Sequence, residues 1–172
     1  MSDPEANSAI TPFWRFSLNF YRQAGVSEAC IGLQDGCGVD VNLLLFLLWL
    51  ASEGRQLSPP EVQELDERVR GWRNLTIVPI RDVRRKLKGA ATLVEAGQQE
   101  AFRNRVKTVE LEAEKLQQEG LYGLTASGPL GAAAAARTAA RGNIAAYAQA
   151  MGASFPKDAV DLLTAAFDAI AA

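Results

Sequence analysis

The length, composition and charge of the chain fit one folded domain and exclude several classes of function. Its 172 residues are 48% hydrophobic, which is enough for a sizeable core. A formal net charge of −2 argues against a general nucleic-acid binder. Histidine is absent, which excludes Ser-His and Cys-His nucleophile pairs, imidazole bases and every metal site that contains histidine.

The N-terminal part predicts a lead-in followed by two helices. Residues 1–11 are expected to be disordered, and they lack the basic start and the apolar run of a signal peptide. A helix capped by Thr11 is predicted from Pro12 to Ala24, because its aromatic residues recur on one helical face. A short second helix is expected from Ser27 to Leu33.

The most informative segment is a glycine-punctuated turn that leads into a helix with no polar face. Asp40 fits the N-cap of this helix, which is expected to cover residues 41–53 and to end at Gly54. A helix that is apolar on every side must be surrounded by protein, so we expect it at the centre of the fold. Its apolar run is too short to span a bilayer, and we therefore expect a cytoplasmic protein with reduced thiols and no membrane contact.

The next segment contains the clearest helix start in the chain. Ser58-Pro-Pro-Glu61 has the pattern of a capping box with proline at the first helical position, and the helix is expected to run to about Arg70. The β-branched residues in 74–78 precede Pro79 and predict an extended segment. A further helix is predicted over residues 80–88.

The C-terminal half is predicted to contain one long polar helix and two alanine-rich helices. The long helix should cover residues 98–119, and its apolar residues alternate in spacing between four and three, which predicts a hairpin with an antiparallel helix. The residues of this seam are Phe102, Val106, Val109, Ala113 and Leu116. A glycine-rich loop over 120–131 precedes the alanine-rich helices, expected at 130–150 and 156–171.

An ordered series of short motifs in the first part of the chain resembles one protein family. The motifs are Phe13-Trp14-Arg15-Phe16, Leu33-Gln34-Asp35, Asp40-Val41-Asn42, Trp72-Arg73 and Pro79-Ile80-Arg81. They resemble a small bacterial family catalogued as a domain of unknown function, number twenty-three ninety, over residues 12 to about 120. The resemblance implies an all-helical cytoplasmic protein, found mainly in proteobacteria, with no established activity, cofactor or catalytic residue.

These observations together predict an all-α fold. We expect an irregular or orthogonal bundle of about six to eight helices around the apolar helix 41–53. The family domain should cover residues 12–120, with residues 121–172 forming an alanine-rich C-terminal extension packed on it.

A basic helix is the main candidate for contact with a partner. Its cations recur at spacings of three, four and seven residues, so they form one stripe, and an aromatic residue and an arginine lie just upstream. The candidate set is Trp72, Arg73, Arg81, Arg84, Arg85 and Lys88. This stripe either binds an acidic protein surface, a phosphate or RNA, or is a solvated face paired with the many glutamates of residues 95–119.

The turn before the apolar helix is the alternative candidate site. Gln34, Asp35, Asp40 and Asn42 lie near a helix N-terminus, where free backbone N–H groups favour an anion, and Arg55 could complete such a pocket. The turn also has a purely structural interpretation, in which Asp40 is only a cap. Its replacement by alanine would then cost only about 1 kcal/mol of stability.

No residue pattern indicates a catalytic or metal centre. Asp35 and Asp40 are five residues apart across glycines, and the free cysteines Cys30 and Cys37 have no second pair. We therefore expect no cofactor, no metal and no catalytic residue. The favoured hypothesis is a non-enzymatic interaction or assembly module with a protein partner or a second copy, while nucleic acid is less favoured. A small-molecule binder or enzyme with its pocket at the Gln34–Asn42 turn is the alternative.

Overall fold

A computed structural model describes residues 10–171 of the chain. This part contains eight α-helices and one pair of two-residue β-strands. The all-α prediction is confirmed. The helices are α1 (Pro12–Tyr21), α2 (Val26–Cys37), α3 (Val41–Ser52), α4 (Pro59–Trp72), α5 (Val78–Leu87), α6 (Ala96–Gly123), α7 (Ala136–Met151) and α8 (Lys157–Ile170). Strand β1 (Arg55–Gln56) pairs antiparallel with β2 (Ala132–Ala133). The predicted disorder of residues 1–11 falls mostly outside the described residues.

The apolar helix α3 lies at the centre of the core, as its sequence predicts. Every residue from Asn42 to Ala51 is buried, and the ring of Phe46 packs against Phe13 and Trp49. Helix α7 packs along α3, and its alanines allow the two backbones to approach closely. Ile144 and Tyr147 of α7 are 2% and 0% exposed, so the alanine-rich extension supplies part of the same core.

The first two helices differ in length from the prediction. Thr11 accepts a hydrogen bond from the backbone N–H of Trp14 at 3.0 Å, which confirms the cap, but α1 ends at Tyr21. Helix α2 continues to Cys37, so the prediction that it ends at Leu33 is wrong. Its internal glycines cost helix stability without breaking it, and the chain turns only at Gly38, whose φ of 72° is left-handed.

The segment between α4 and α5 is helical, and the predicted extended run over 74–78 is wrong. The capping box at the start of α4 is confirmed, but a π-helical turn over Arg73–Ile77 then connects α4 directly to α5. Proline lacks an N–H group, and its ring clashes with the carbonyl four residues earlier in an α-helix. The wider π turn just before Pro79 accommodates this residue without ending the helix.

Helices α5 and α6 form the antiparallel hairpin that the sequence predicts. The amide of Gln99 donates to the carbonyl of Leu87 near the loop, while Arg81 contacts Glu114 at the other end of α5. Most of the predicted seam is wrong, because Phe102, Val109 and Leu116 are each about half exposed, whereas Ala113 is buried as predicted. The residues of α6 that are buried form a stripe that is rotated about the helix axis by roughly 60° from the predicted seam, given about 3.6 residues per turn. It contains Gln99, Glu110, Ala113, Gln117 and Leu121.

None of the helices within residues 10–171 is both long enough and apolar enough to cross a membrane.

Candidate functional site

A polar cleft lies between the α2–α3 junction and the π turn. Its volume is about 300 Å³. Gln34, Asp40 and Asn42 line it, so the structure brings together three residues of the predicted turn. Arg73 and Arg81 line the opposite side. We call this cavity the polar cleft.

Asp40 is the central residue of the polar cleft. One carboxylate oxygen accepts a hydrogen bond from the Leu43 N–H at 3.2 Å, which confirms the predicted cap. The other oxygen accepts from the Gln117 amide at 2.7 Å and from the Arg73 guanidinium at 3.2 Å. The backbone N–H of Asp40 donates to the hydroxyl of Tyr147 at 2.9 Å. Asp40 therefore joins four elements of the fold and is not exposed as a catalytic base.

The cations of the polar cleft are already neutralised by the protein. Arg73 binds Asp66 at 2.7 Å in addition to Asp40. Burial alone would raise the pKa of Asp66, but the hydrogen bond and the charge of Arg73 outweigh it, so the pKa is lowered. Because each arginine of the cleft has carboxylate partners, the cleft has no excess positive charge to attract an anion.

Two residues of the predicted pocket lie elsewhere. Asp35 is on the last turns of α2 and forms an exposed ion pair with Arg85 at 2.9 Å. Arg55 belongs to β1, where its guanidinium donates to the carbonyls of Leu130 and Gly131. Arg55 thus holds the chain segment before β2 and does not reach the polar cleft.

The basic helix uses two of its arginines inside the hairpin. Arg81 binds Glu110 at 3.1 Å and Glu114 at 2.8 Å, and Arg84 also binds Glu110. These contacts correspond to the interpretation in which the stripe pairs with glutamates of the long helix. Lys88 has no carboxylate partner among residues 10–171.

Trp72, a member of the candidate set for partner contact, donates its indole N–H to the Ala113 carbonyl at 2.9 Å and remains 39% exposed.

Glu110→Gln is expected to lower the free energy of unfolding by about 2 kcal/mol, because Arg81 and Arg84 lose their shared carboxylate. Burial alone would raise the pKa of Glu110, but hydrogen bonds from the two arginines outweigh it and lower the pKa. The ion pairs therefore stabilise the fold above pH 4.5, and they lose this effect as the pH falls through the pKa that Glu110 has in the folded protein. Urea unfolding of the unchanged protein and of Glu110→Gln at pH 7 and pH 3 measures the difference in their free energies of unfolding. An equal difference at the two pH values would contradict the role of Glu110 as the shared carboxylate of the two arginines.

Sequence reasoning missed the buried polar residues of α6 and α7. Gln117 and Gln118 are each 4% exposed, and Asn143 is 0% exposed. A signal was present for α6, because Glu110, Ala113 and Gln117 recur at helical spacing and therefore lie on one face of the helix. The alanine-rich sequence around Asn143 has no comparable signal.

The side of the hairpin that faces away from α2 is apolar. Two adjoining open cavities of about 910 and 410 Å³ lie along it, and they share Phe102 and Arg105. We call this surface the hairpin groove. Its main apolar residues are Pro79, Ile80, Val83, Leu87, Val94, Phe102, Val106 and Val109. The hairpin is thus amphipathic, with its ion pairs on one side and an apolar surface on the other.

No metal-binding cluster of three or more His, Cys, Asp or Glu side chains occurs among residues 10–171. Both cysteines are free thiols. Burial raises the pKa of Cys30 to about 12, so this thiol is protonated and unreactive at neutral pH.

A protein-family model described as "Protein of unknown function (DUF2390)" matches residues 12–121. The chain belongs to this family. The matched residues of the DUF2390 chain include the polar cleft and the hairpin groove, whereas Asn143 and Tyr147 lie beyond them. The resemblance found from the sequence motifs is confirmed. Comparisons with curated proteins and with solved structures give no match.

Proposed function

We propose that this DUF2390 protein is a non-enzymatic interaction module that binds an amphipathic helix of a partner protein in the hairpin groove. The observation that carries the proposal is a continuous apolar surface on a solvated hairpin. Val83, Phe102 and Val109 are 45%, 48% and 50% exposed, and they line adjoining cavities. Contiguous exposed apolar surface of this kind is typical of interaction sites.

The shape of the hairpin groove supports a helical occupant. Two antiparallel helices leave a long depression between their exposed flanks, and a third helix packs into such a depression at an interaxial distance of about 8–10 Å. Helix-in-groove binding places apolar residues of the ligand helix at spacings of three and four. The apolar residues Ile80 and Val83 of α5 face Val106 and Val109 of α6 across this depression.

The charge of the hairpin groove supports a partner with acidic flanks. Arg105 is the one charged residue among those that line the two cavities, and its guanidinium lies 5.7 Å from the centre of the Phe102 ring. Neither Arg105 nor Lys88 pairs with a carboxylate among residues 10–171. A second copy of the chain would bring the same surface and the same cation, whereas a helix with acidic flanks supplies the missing carboxylates.

The basic stripe has a supporting role in this proposal. Arg81 and Arg84 hold α5 against α6, which keeps the hairpin groove rigid before binding and reduces the entropy cost of association. Lys88 and Trp72 then contribute contacts at the edges of the interface, whereas Arg85 pairs with Asp35 on the side that faces α2. Reversal of Arg84 would therefore disturb the hairpin itself, so it is a poor test of direct contact.

Val83→Asp is expected to weaken partner binding by about tenfold or more, because its carboxylate must be desolvated in the groove and competes with the acidic flanks of the partner for Arg105. The matched control is Val78→Asp, which makes the same change at a valine of α5 that is 46% exposed and lines the polar cleft instead. A photo-crosslinking residue at position 102 identifies the bound protein in cells. Titration of this purified partner against the unchanged chain, Val83→Asp and Val78→Asp then gives the three dissociation constants.

The proposal fails if crosslinking at position 102 captures no discrete protein or only a second copy of the chain. It also fails if Val78→Asp and Val83→Asp weaken the purified complex equally, since the polar cleft and the groove lie on opposite sides of the hairpin. Circular dichroism of both variants, with an unchanged helical signal, shows that the fold is retained.

The polar cleft supports the second candidate, a small-molecule binding protein. Gln34, Asp40 and Asn42 meet there, as the alternative hypothesis expects. This candidate ranks second because the charged groups of the cleft bind one another. Asp40 has four hydrogen-bond contacts to the protein, and Arg73 has two carboxylate partners.

A further inference from the structure

A further cavity lies on the other side of α6 from the hairpin groove, where α1, α2, α3 and α6 meet. Its volume is about 200 Å³. The entrance is apolar, because Leu18, Tyr21, Ile31 and Leu111 are 37%, 37%, 46% and 53% exposed. We call it the aromatic cavity, after Trp14 and Tyr21 in its wall.

Two buried polar atoms in the wall of the aromatic cavity have no hydrogen-bond partner within residues 10–171. They are the Ser17 hydroxyl oxygen and the Gln118 carbonyl oxygen, and both residues are 4% exposed. The Gln118 amide nitrogen donates to Asn42 at 2.8 Å, which leaves the carbonyl oxygen as the acceptor without a partner. An unsatisfied buried polar group costs about 1–3 kcal/mol, so a hydrogen-bond donor that reaches these two oxygens would stabilise the protein.

The charge and the aromatic rings of the cavity select the ligand. Glu114 lines the wall, and Arg81 binds its Oε1 atom from the direction of the polar cleft. Burial raises the pKa of Glu114 although Arg81 lowers it, which shows how apolar the surroundings of this carboxyl are. The faces of Trp14 and Tyr21 attract cations, and the Lys115 ammonium already lies 5.9 Å from the centre of the Trp14 ring.

We propose that the aromatic cavity binds a small organic cation, a protonated amine on a compact apolar body. The ammonium group donates to the Gln118 carbonyl oxygen, the Ser17 hydroxyl oxygen and the Glu114 carboxylate. Its apolar body packs against Leu18 and Leu111 at the entrance. The volume admits about six or seven non-hydrogen atoms if each occupies about 30 Å³, the share of a water molecule in the liquid. This site is independent of the hairpin groove, and neither proposal rests on the other.

The test is an NMR titration of the full chain with cyclohexylamine and, as a neutral probe of the same shape, cyclohexanol. We expect saturable shifts at the Trp14 indole N–H and the Gln118 side-chain amide with the amine, and binding of the alcohol at least about tenfold weaker. Glu114→Gln keeps an oxygen for Arg81 but removes the charge. Its affinity for the amine should therefore be about tenfold weaker, while its affinity for the alcohol should be unchanged.

A pair of variants on α6 locates the site. Leu111→Trp fills the entrance of the aromatic cavity and should abolish amine binding, whereas Leu116→Trp makes the same change at a residue that is 48% exposed and does not line the cavity. Both positions are half exposed, so both variants should fold. The proposal is overturned if the amine and the alcohol bind equally, if Glu114→Gln leaves amine affinity unchanged, or if Leu116→Trp blocks binding as strongly as Leu111→Trp.

Discussion

Asp40→Ala is expected to lower the free energy of unfolding by about 4 kcal/mol, several times the value of a helix cap alone. The change removes the cap on Leu43 and the acceptor of the buried Gln117 amide, and it leaves Arg73 with Asp66 as its remaining carboxylate partner. A cap is worth about 1 kcal/mol, and removing one partner of a buried ion pair costs about 3–5 kcal/mol. Urea unfolding monitored by circular dichroism measures the loss.

The control for Asp40→Ala is Thr11→Ala, which removes a cap whose side chain makes no other hydrogen bond within residues 10–171 and should cost about 1 kcal/mol. A double-mutant cycle with Arg73→Met separates the ion pair from the cap, because removal of one partner should make removal of the other less costly. Equal losses for Asp40→Ala and Thr11→Ala would show that the tertiary contacts of Asp40 carry no net stability.

Asn143→Leu is expected to lower the free energy of unfolding by a similar amount, about 4 kcal/mol. Asn143 is 0% exposed, and its side-chain oxygen accepts from the Leu57 N–H at 2.7 Å. Its amide nitrogen donates to the carbonyls of Leu47 and Arg55 at 2.8 and 3.1 Å. Leucine has a similar volume and no polar atoms, so it leaves buried backbone groups unsatisfied, each at a cost of about 1–3 kcal/mol.

The control for Asn143→Leu is Asn104→Leu, at an exposed position on α6, which should change stability by less than about 0.5 kcal/mol. Because Asn143 joins α7 to α3 and β1, the variant should also increase hydrogen exchange at the Leu57 amide. A loss below about 1 kcal/mol would contradict the assignment of Asn143 as the residue that fastens α7 to the core.

Local signals in the sequence predicted the starts of α1, α3 and α4 and the central position of α3. The Asp40 cap and the Ser58 capping box depend on residues no more than three positions apart, and both are present in the structure. Helix α3 could be placed at the centre because an entirely apolar helix has no other stable position. The resemblance of residues 12–120 to the DUF2390 family was recognised for the same reason, since its motifs are short and ordered.

The errors arose where distant residues decide the local conformation. The segment before Pro79 has a composition typical of strands, yet packing of Ile77 in the core and the contacts of Arg73 keep it helical through a π turn. The apolar seam of α6 predicted a buried Phe102, but Arg81 and Arg84 draw the glutamate side of α6 toward α5. Ion pairs therefore displaced the apolar stripe outward, and this displacement forms the hairpin groove.

The sequence by itself determined the helical class, the central position of α3 and the caps of α1, α3 and α4, because these follow from hydrophobic pattern and short-range hydrogen bonds. Only the tertiary structure decided which polar residues meet. Asp40 reaches Tyr147 and Gln117 across more than seventy residues of chain, and Ser17 and Gln118 come to line one cavity in the same way. Such contacts depend on how the helices pack, and helix packing is set by the whole core rather than by any one segment.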